Sequence, residues 1–224
     1  EELREATNYK VPIFLKMGAT RPRYDVAIAA KAGVDVIVVD GAEGGTGASP
    51  ELLLNHTGIP TISAIRAARE ALDECGMSGK VSLVIAGGIR SGVDAAKCLA
   101  LGADAIMIGT GSMIALGCNS PRYFDDYAAI GTAPGKCHHC HTGMCPVGVA
   151  TQKPELEARI DVPAASERVA RYLTALTMEI TLIAKACGKS TVHNLDMEDL
   201  RALSLDASAF TGVKMAGIDK PFSW

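Results

Sequence analysis

The stretch VSLVIAGGIRSGVDAAKCLALGADAIMIGTG, residues 81–111, decides the fold. It opens on an apolar run, VSLVIAGG (81–88), turns through glycines and enters a helical pattern over 93–101. A second apolar run, DAIMIGTG (104–111), again ends on glycine. Both runs are continuous rather than alternating, the pattern of parallel strands covered on both faces. Strand, helix and strand in this order predict a parallel α/β arrangement.

The same rhythm extends towards the N-terminus. VPIFLKM (11–17), VDVIVVDG (34–41) and IPTIS (59–63) read as three further strands, with helical patterns over 25–31 and 64–74. The ends of these runs are rich in glycine and small polar residues: KMGAT, DGAEGGTGASP, AGGIRSG and GTGS. In a (β/α)8 TIM barrel the loops after the strands build the active site, and those after strands 7 and 8 hold a phosphate. AGGIRSG and GTGS fit that pair, so the five runs are read as strands 4 to 8. The chain, which begins at Glu1, is then the C-terminal part of a longer protein or one half of a split one. Its partner would be the N-terminal half of the barrel, in the same or another chain. Alone, it would expose an open parallel edge and aggregate. A complete open five-stranded sheet is the competing reading.

Beyond Gly111 the pattern changes. A helix (SMIALGC, 112–118) leads into an irregular insertion over 119–136 and then a cysteine-rich loop. A long amphipathic helix covers 166–188 with Gly188 as its C-cap, and a short helix lies near 197–203. Three segments follow: half of a barrel over 1–117, a cysteine loop over 118–152, and a closing helix with its tail over 153–224.

With 224 residues, 48% hydrophobic and 21% charged, the chain can bury one large core. A net charge of −3 gives no reason to expect nucleic acid or an anionic membrane as partner. No apolar run reaches the ~18 residues of a spanning helix, and the polar start EELREATNYK is no signal peptide, so a cytoplasmic location is expected. Four of the seven cysteines are scattered and three are bunched, which favours metal over disulfides. Cys137-x2-Cys140-x4-Cys145-Pro146 offers soft thiolates suited to an iron–sulfur cluster or zinc. Cys118 could add a fourth thiol, and His138, His139 and His141 keep zinc open, as in a zinc-stabilised interaction module. Cys75, Cys98 and Cys187 lie on helical patterns and read as core residues.

The motifs GAEGGTGASP (41–50), GGIRSGVDAAKCLALGADAIMIGTG (87–111) and ALGC…CHTGMCPVGVATQ (115–152) together resemble the FMN-binding synthase domain of glutamate synthase. The likeness runs from VPIFLKMGA to the helix over 166–188. It implies an FMN-dependent oxidoreductase that aminates 2-oxoglutarate reductively to glutamate, with electrons relayed by an iron–sulfur cluster. In that family a Cys-x5-Cys-x4-Cys set holds a 3Fe–4S cluster. Cys140 and Cys145 match its last spacing, and Cys118 matches the first ligand by position. Eighteen residues separate Cys118 from Cys137, which is extra or replaces Cys118; four thiols could hold 4Fe–4S. The loop KMGATRPRYD (16–25), the insertion and ACGKSTVHNLDMEDLRAL (186–203) look more like N-methylglutamate synthase, so the amine is ammonia or methylamine. Glutaminase and electron-donor domains or subunits, ferredoxin- or NAD(P)H-linked, would have to lie elsewhere.

Roles follow. Gly87, Gly88, Gly109, Thr110 and Gly111 would cradle the FMN phosphate by backbone amides, aided by a helix N-terminus and by Arg90. Lys16, at a strand end, would face the reduced flavin; a structural pair with a carboxylate is its alternative. Gly44, Gly45 and Thr46 would line the substrate side. Glu43 is a candidate acid/base, or else a loop cap. Arg21 and Arg23 are candidate clamps for the substrate's two carboxylates. Another phosphate-binding barrel oxidoreductase is the runner-up.

Overall fold

The computed structural model describes residues 1–45 and 49–221. Four parallel strands form one sheet in sequential order: β1 (Phe14–Gly18), β2 (Val36–Asp40), β3 (Ser82–Ala86) and β4 (Ala105–Ile106). Helix α1 (Glu2–Ala6) precedes them. Helices α2 (Pro22–Lys31), α3 (Glu51–His56), α4 (Thr61–Glu74) and α5 (Gly92–Ala100) connect them. After β4 come α6 (Thr110–Leu116), α7 (Phe124–Ala129), α8 (Pro154–Glu157), the long α9 (Val162–Ala186) and α10 (Leu205–Thr211).

Strand periodicity assigns the two faces. Ile37 and Val39 of β2 and Leu83 and Ile85 of β3 share the main core with Val26 of α2, Ile65 and Leu72 of α4, and Leu99 of α5. The opposite face carries a smaller strip, Val38, Val84 and Ala86, packed with Val36 and with no helix residue. A doubly wound sheet would carry helices on both faces. Sequential parallel strands with helices on one face are the winding of a barrel wall, so the chain supplies part of a (β/α)8 barrel. Its open face is the barrel's inner side, and it carries Lys16 and Asp40 at the strand ends.

The segment 59–63 departs from expectation. Ile59 runs extended, donating from its amide to Ala19 O (2.8 Å) and accepting from Ala42 N (2.9 Å), but Thr61 already opens α4. Pro60 is the N-cap of that helix, and with no N–H of its own it suits that boundary better than a ladder. Among the described residues the sheet therefore has four strands where the sequence suggests five. The insertion is also more regular than expected, folding into a 3-10 turn (Pro121–Tyr123) and α7. Near 197–203 the helix is a single 3-10 turn, Met197–Asp199, and α10 follows it.

Helix α9 starts at Val162, earlier than its apolar pattern suggests. Asp161 caps it by accepting from Ala164 N at 3.1 Å, with Pro163 in the first turn. No helix among the described residues is long and apolar enough to cross a membrane.

Candidate functional site

The carboxyl ends of the strands and the loops after them enclose the candidate site. On the open face, Lys16 Nζ lies 2.9 Å from Asp40 Oδ2, joining the ends of β1 and β2. Lys16 is thus paired with a carboxylate while it lines the space at the strand ends. Glu43, in the loop after β2, accepts at Oε2 from the amide of Thr61 and lies within reach of the Thr61 hydroxyl, each at 2.8 Å. It caps α4 while lining the site. The Thr61 Oγ1 also sits 2.9 Å from the carbonyl of Gly87, so the loops after β2 and β3 meet at one hydroxyl.

Gly87 turns the chain out of β3 with φ 107°, and an added Cβ would fall 2.6 Å from Thr61 Oγ1 and 2.9 Å from Gly41 N. A side chain is excluded by both backbone conformation and space.

These loops bound a cavity of about 440 Å³ lined by Lys16, Glu43, Gly44, Gly45, Gly87, Gly88, Arg90 and the Gly109–Thr110–Gly111 turn. Each proposed cofactor contact within the described residues therefore faces one space; Thr46 lies outside them. The amides of Gly88, Gly109, Thr110 and Gly111 donate to nothing among the described residues, and neither does the Arg90 guanidinium. A second cavity, of about 420 Å³, shares Lys16, Asp40, Gly44 and Gly45 and continues over Gly18, Thr20 and Gly58. Arg21 and Arg23 line neither. Arg21 is 70% exposed and lies 3.5 Å from Asp25, whereas Arg23 pairs with Glu70 (3.3 Å) and Glu74 on the flank of α4.

Of the two helices that follow the glycine turns, α6 opens at Gly109–Gly111 with no side-chain cap, whereas the N-terminus of α5 is already occupied. Ser91 and Asp94 form a capping box at the start of α5, and Asp94 Oδ2 also accepts from Arg90 N at 3.1 Å. Glu179 of α9 reaches across to accept from Gly92 N at 2.7 Å. Burial opposes the charge of Asp94, but the hydrogen bonds from Arg90 and Ser91 prevail and hold its carboxyl below the usual range. The unengaged amides around the cavity are therefore those of the glycine turns, including the start of α6, and not those of α5.

A further contact from α9 was not signalled by any motif. Tyr172 donates its hydroxyl to Arg90 O at 2.9 Å, and burial, with Asp94 and Glu179 nearby, keeps the phenol protonated to higher pH than usual. The i, i+4 spacing of α9 gives the one legible hint, since Arg168 and Tyr172 lie on the same stripe. Arg168 donates to Ala115 O (3.1 Å) and Leu116 O (2.8 Å), the last carbonyls of α6.

The cysteine loop begins where α6 ends. Cys118 is pushed up by burial and by Cys140, Cys145 and Cys137 in turn, and burial, then Cys137 and Cys145, push up Cys140. The four thiols are thus electrostatic neighbours. Tyr127 is buried against Cys145 and Val147, with Cys137 beside them. Among the described residues no three of His, Cys, Asp or Glu are arranged to hold a single metal ion. The thiols thus influence one another electrostatically without converging on one point. A polynuclear cluster spaces its thiolates around several irons, wider than a lone zinc with bonds of about 2.3 Å. His138 and His139 stack on one another at 4.8 Å. Arg159, which the motifs also missed, locks the loop. It donates to Pro146 O (2.7 Å), pairs with Asp126 (3.1 Å) and lies over the Tyr123 ring (4.8 Å). Cys98 is a core thiol, pushed up to about 12 chiefly by burial, and Cys75 and Cys187 pack on the same core.

Fold and site together define a partial (β/α)8 barrel with a glycine-lined, cation-flanked cavity at its strand ends and a thiol-rich loop beyond it. Among solved structures, a flavocytochrome b2 variant with benzoylformate shares the fold, with TM-score 0.51 and 18% identity over 87% of this chain and 36% of that one. The chain belongs to the glutamate synthase family: the conserved region in glutamate synthase matches residues 1–190. It is similar to a glutamate synthase large subunit-like protein of Rhizobium meliloti (49% identical; 96% of this chain, 49% of that protein). It is also similar to the archaeal glutamate synthase [NADPH] of Methanocaldococcus jannaschii (38%; 96% and 40%) and the ferredoxin-dependent glutamate synthase of Cyanidium caldarium (36%; 83% and 12%). The chain spans about half or less of the length of these relatives.

Proposed function

We propose that this chain is the flavin- and cluster-bearing part of a glutamate synthase, which aminates 2-oxoglutarate reductively to glutamate. The observation that carries this reading is the convergence of Lys16, Gly44, Gly45, Gly87, Gly88 and Gly109–Gly111 on one cavity of about 440 Å³, within the range of ligand pockets. FMN held there would supply hydride transfer, and an iron–sulfur cluster on the thiols would supply single electrons.

The chain's own residues then have defined tasks. The unengaged amides of Gly88, Gly109, Thr110 and Gly111, with the Arg90 guanidinium, bind the phosphate. Lys16, oriented by Asp40, presents a cation on the barrel's inner side. Glu43 holds the loop after β2 through Oε2 and keeps Oε1 as the proton acceptor for the incoming amine. Arg21 follows Thr20, a lining residue of the second cavity, and is the better placed clamp for a substrate carboxylate. Arg23, engaged by Glu70 and Glu74, contributes mainly to helix packing. Cys140 and Cys145, with Cys118, Cys137 or both, hold the cluster. The remaining barrel strands, a glutaminase source of ammonia and an electron donor come from other parts of the protein or from partners, in the cytoplasm.

The test uses the full-length protein. A flavin spectrum, iron with acid-labile sulfide, and reoxidation of the reduced enzyme by 2-oxoglutarate plus ammonia are expected. Absence of both flavin and iron after anaerobic reconstitution would falsify the reading. Faster reoxidation with methylamine than with ammonia would redirect it to N-methylglutamate.

A further inference from the structure

Helix α9 lies outside both the glycine cradle and the cysteine loop, yet it grips the junctions of each. Arg168 holds the last two carbonyls of α6, Ala115 O and Leu116 O, immediately before the chain enters Cys118. One turn on, Tyr172 donates to Arg90 O beside the cradle. The same hydroxyl abuts the other half of that cradle, since a Cβ built on Gly111 would come within 2.4 Å of it. Two turns further, Glu179 takes the Gly92 amide, and a Cβ on Gly92 would lie 2.4 Å from the Glu179 Cβ. The four residue steps from Arg168 to Tyr172 rise about 6 Å along a rigid helix.

We propose that Tyr172 and Arg168 are positioning residues, and that α9 acts as a strut fixing the separation between the anion cradle and the start of the thiol loop. Tyr172 clamps the two glycine turns to one another, and Arg168 sets the exit angle of α6 and with it the place of Cys118. Neither touches the reacting atoms. The inference rests on the reading of the cradle as a flavin site and the thiols as an iron–sulfur site.

The test uses the full-length protein with Tyr172→Phe, Arg168→Gln and Arg168→Lys. Three quantities are read: the FMN dissociation constant, iron per chain, and the rate at which electrons pass from the reduced cluster to the flavin. Tyr172→Phe removes one hydrogen bond and should weaken FMN binding up to about tenfold at unchanged iron content. Arg168→Gln should leave FMN affinity near wild type and slow the transfer several-fold. Arg168→Lys keeps one donor, so it should recover part of the rate, and it still reports on transfer if the Gln variant loses its cluster. Wild-type FMN affinity in Tyr172→Phe together with a wild-type transfer rate in Arg168→Gln, or a rate in Arg168→Gln and Arg168→Lys that falls equally, overturns the strut even if the melting temperatures fall, because a purely structural role moves stability alone. A wild-type protein with neither flavin nor iron overturns the functional reading and the strut with it.

Discussion

The sheet region, 14–116, and the cysteine loop, 118–152, are held in different ways. In the first, parallel ladders and interdigitated aliphatic side chains place the strand ends, and the cradle amides follow from the backbone. In the second the core is a small cluster around Tyr127, Cys145 and Val147. The rest depends on single polar contacts: Asn119 Oδ1 accepting from Gly135 N (2.9 Å), and Arg159 on Pro146 and Asp126. A site made of backbone is robust to side-chain loss and sensitive to added bulk. A site hung on long side chains has the opposite weakness.

Substitutions can break or sharpen that contrast. Gly87→Ala should have the largest effect, about 2–3 kcal/mol of lost stability in urea unfolding, because it forces a side chain onto a positive φ and against Thr61. A change under about 0.5 kcal/mol would mean that the turn is not rigid. Arg159→Ala should cost roughly 1.5–2 kcal/mol, since it removes a hydrogen bond from a charged donor to the Pro146 carbonyl. It should also lower iron content while leaving flavin binding intact; equal loss of both would show the two regions to be one cooperative unit.

Asp94→Asn should cost about 1 kcal/mol through the weakened capping box. The folded pKa of Asp94 lies below the unfolded value of about 3.9. Its contribution is therefore present above about pH 4 and is lost as pH falls through the folded value, so the variant should show a flatter acid limb in pH-dependent unfolding. Arg23→Ala should have the smallest effect, about 0.3 kcal/mol, because its partners are half exposed. The KM for 2-oxoglutarate should stay put, and a clear rise would return Arg23 to the substrate.

The legibility of the molecule in its sequence follows the same division. Continuous apolar runs ending in glycine marked β1 to β4 and the cradle, because strand periodicity and turn chemistry are local. IPTIS misled for a local reason too: a β-branched apolar run looks like a strand until Pro60 is weighed as a helix cap. The thiol ligand candidates were legible from their spacing and from family resemblance. What holds them was not: Arg159 and Arg168 act across 13 and 53 residues, and Tyr172 across 82. No periodicity encodes such reaches, and the i, i+4 stripe on α9 says only that its residues share a face.

The sequential order of the strands bears on how the chain assembles. Each strand pairs with the one before it, so the wall can grow by adding neighbouring units, each closing a modest loop. Helix α9 is different, because the Glu179–Gly92 contact joins positions 87 apart. Its docking carries the larger closure entropy and should come late. A nascent chain would then hold an assembled but unbraced wall until this long helix arrives.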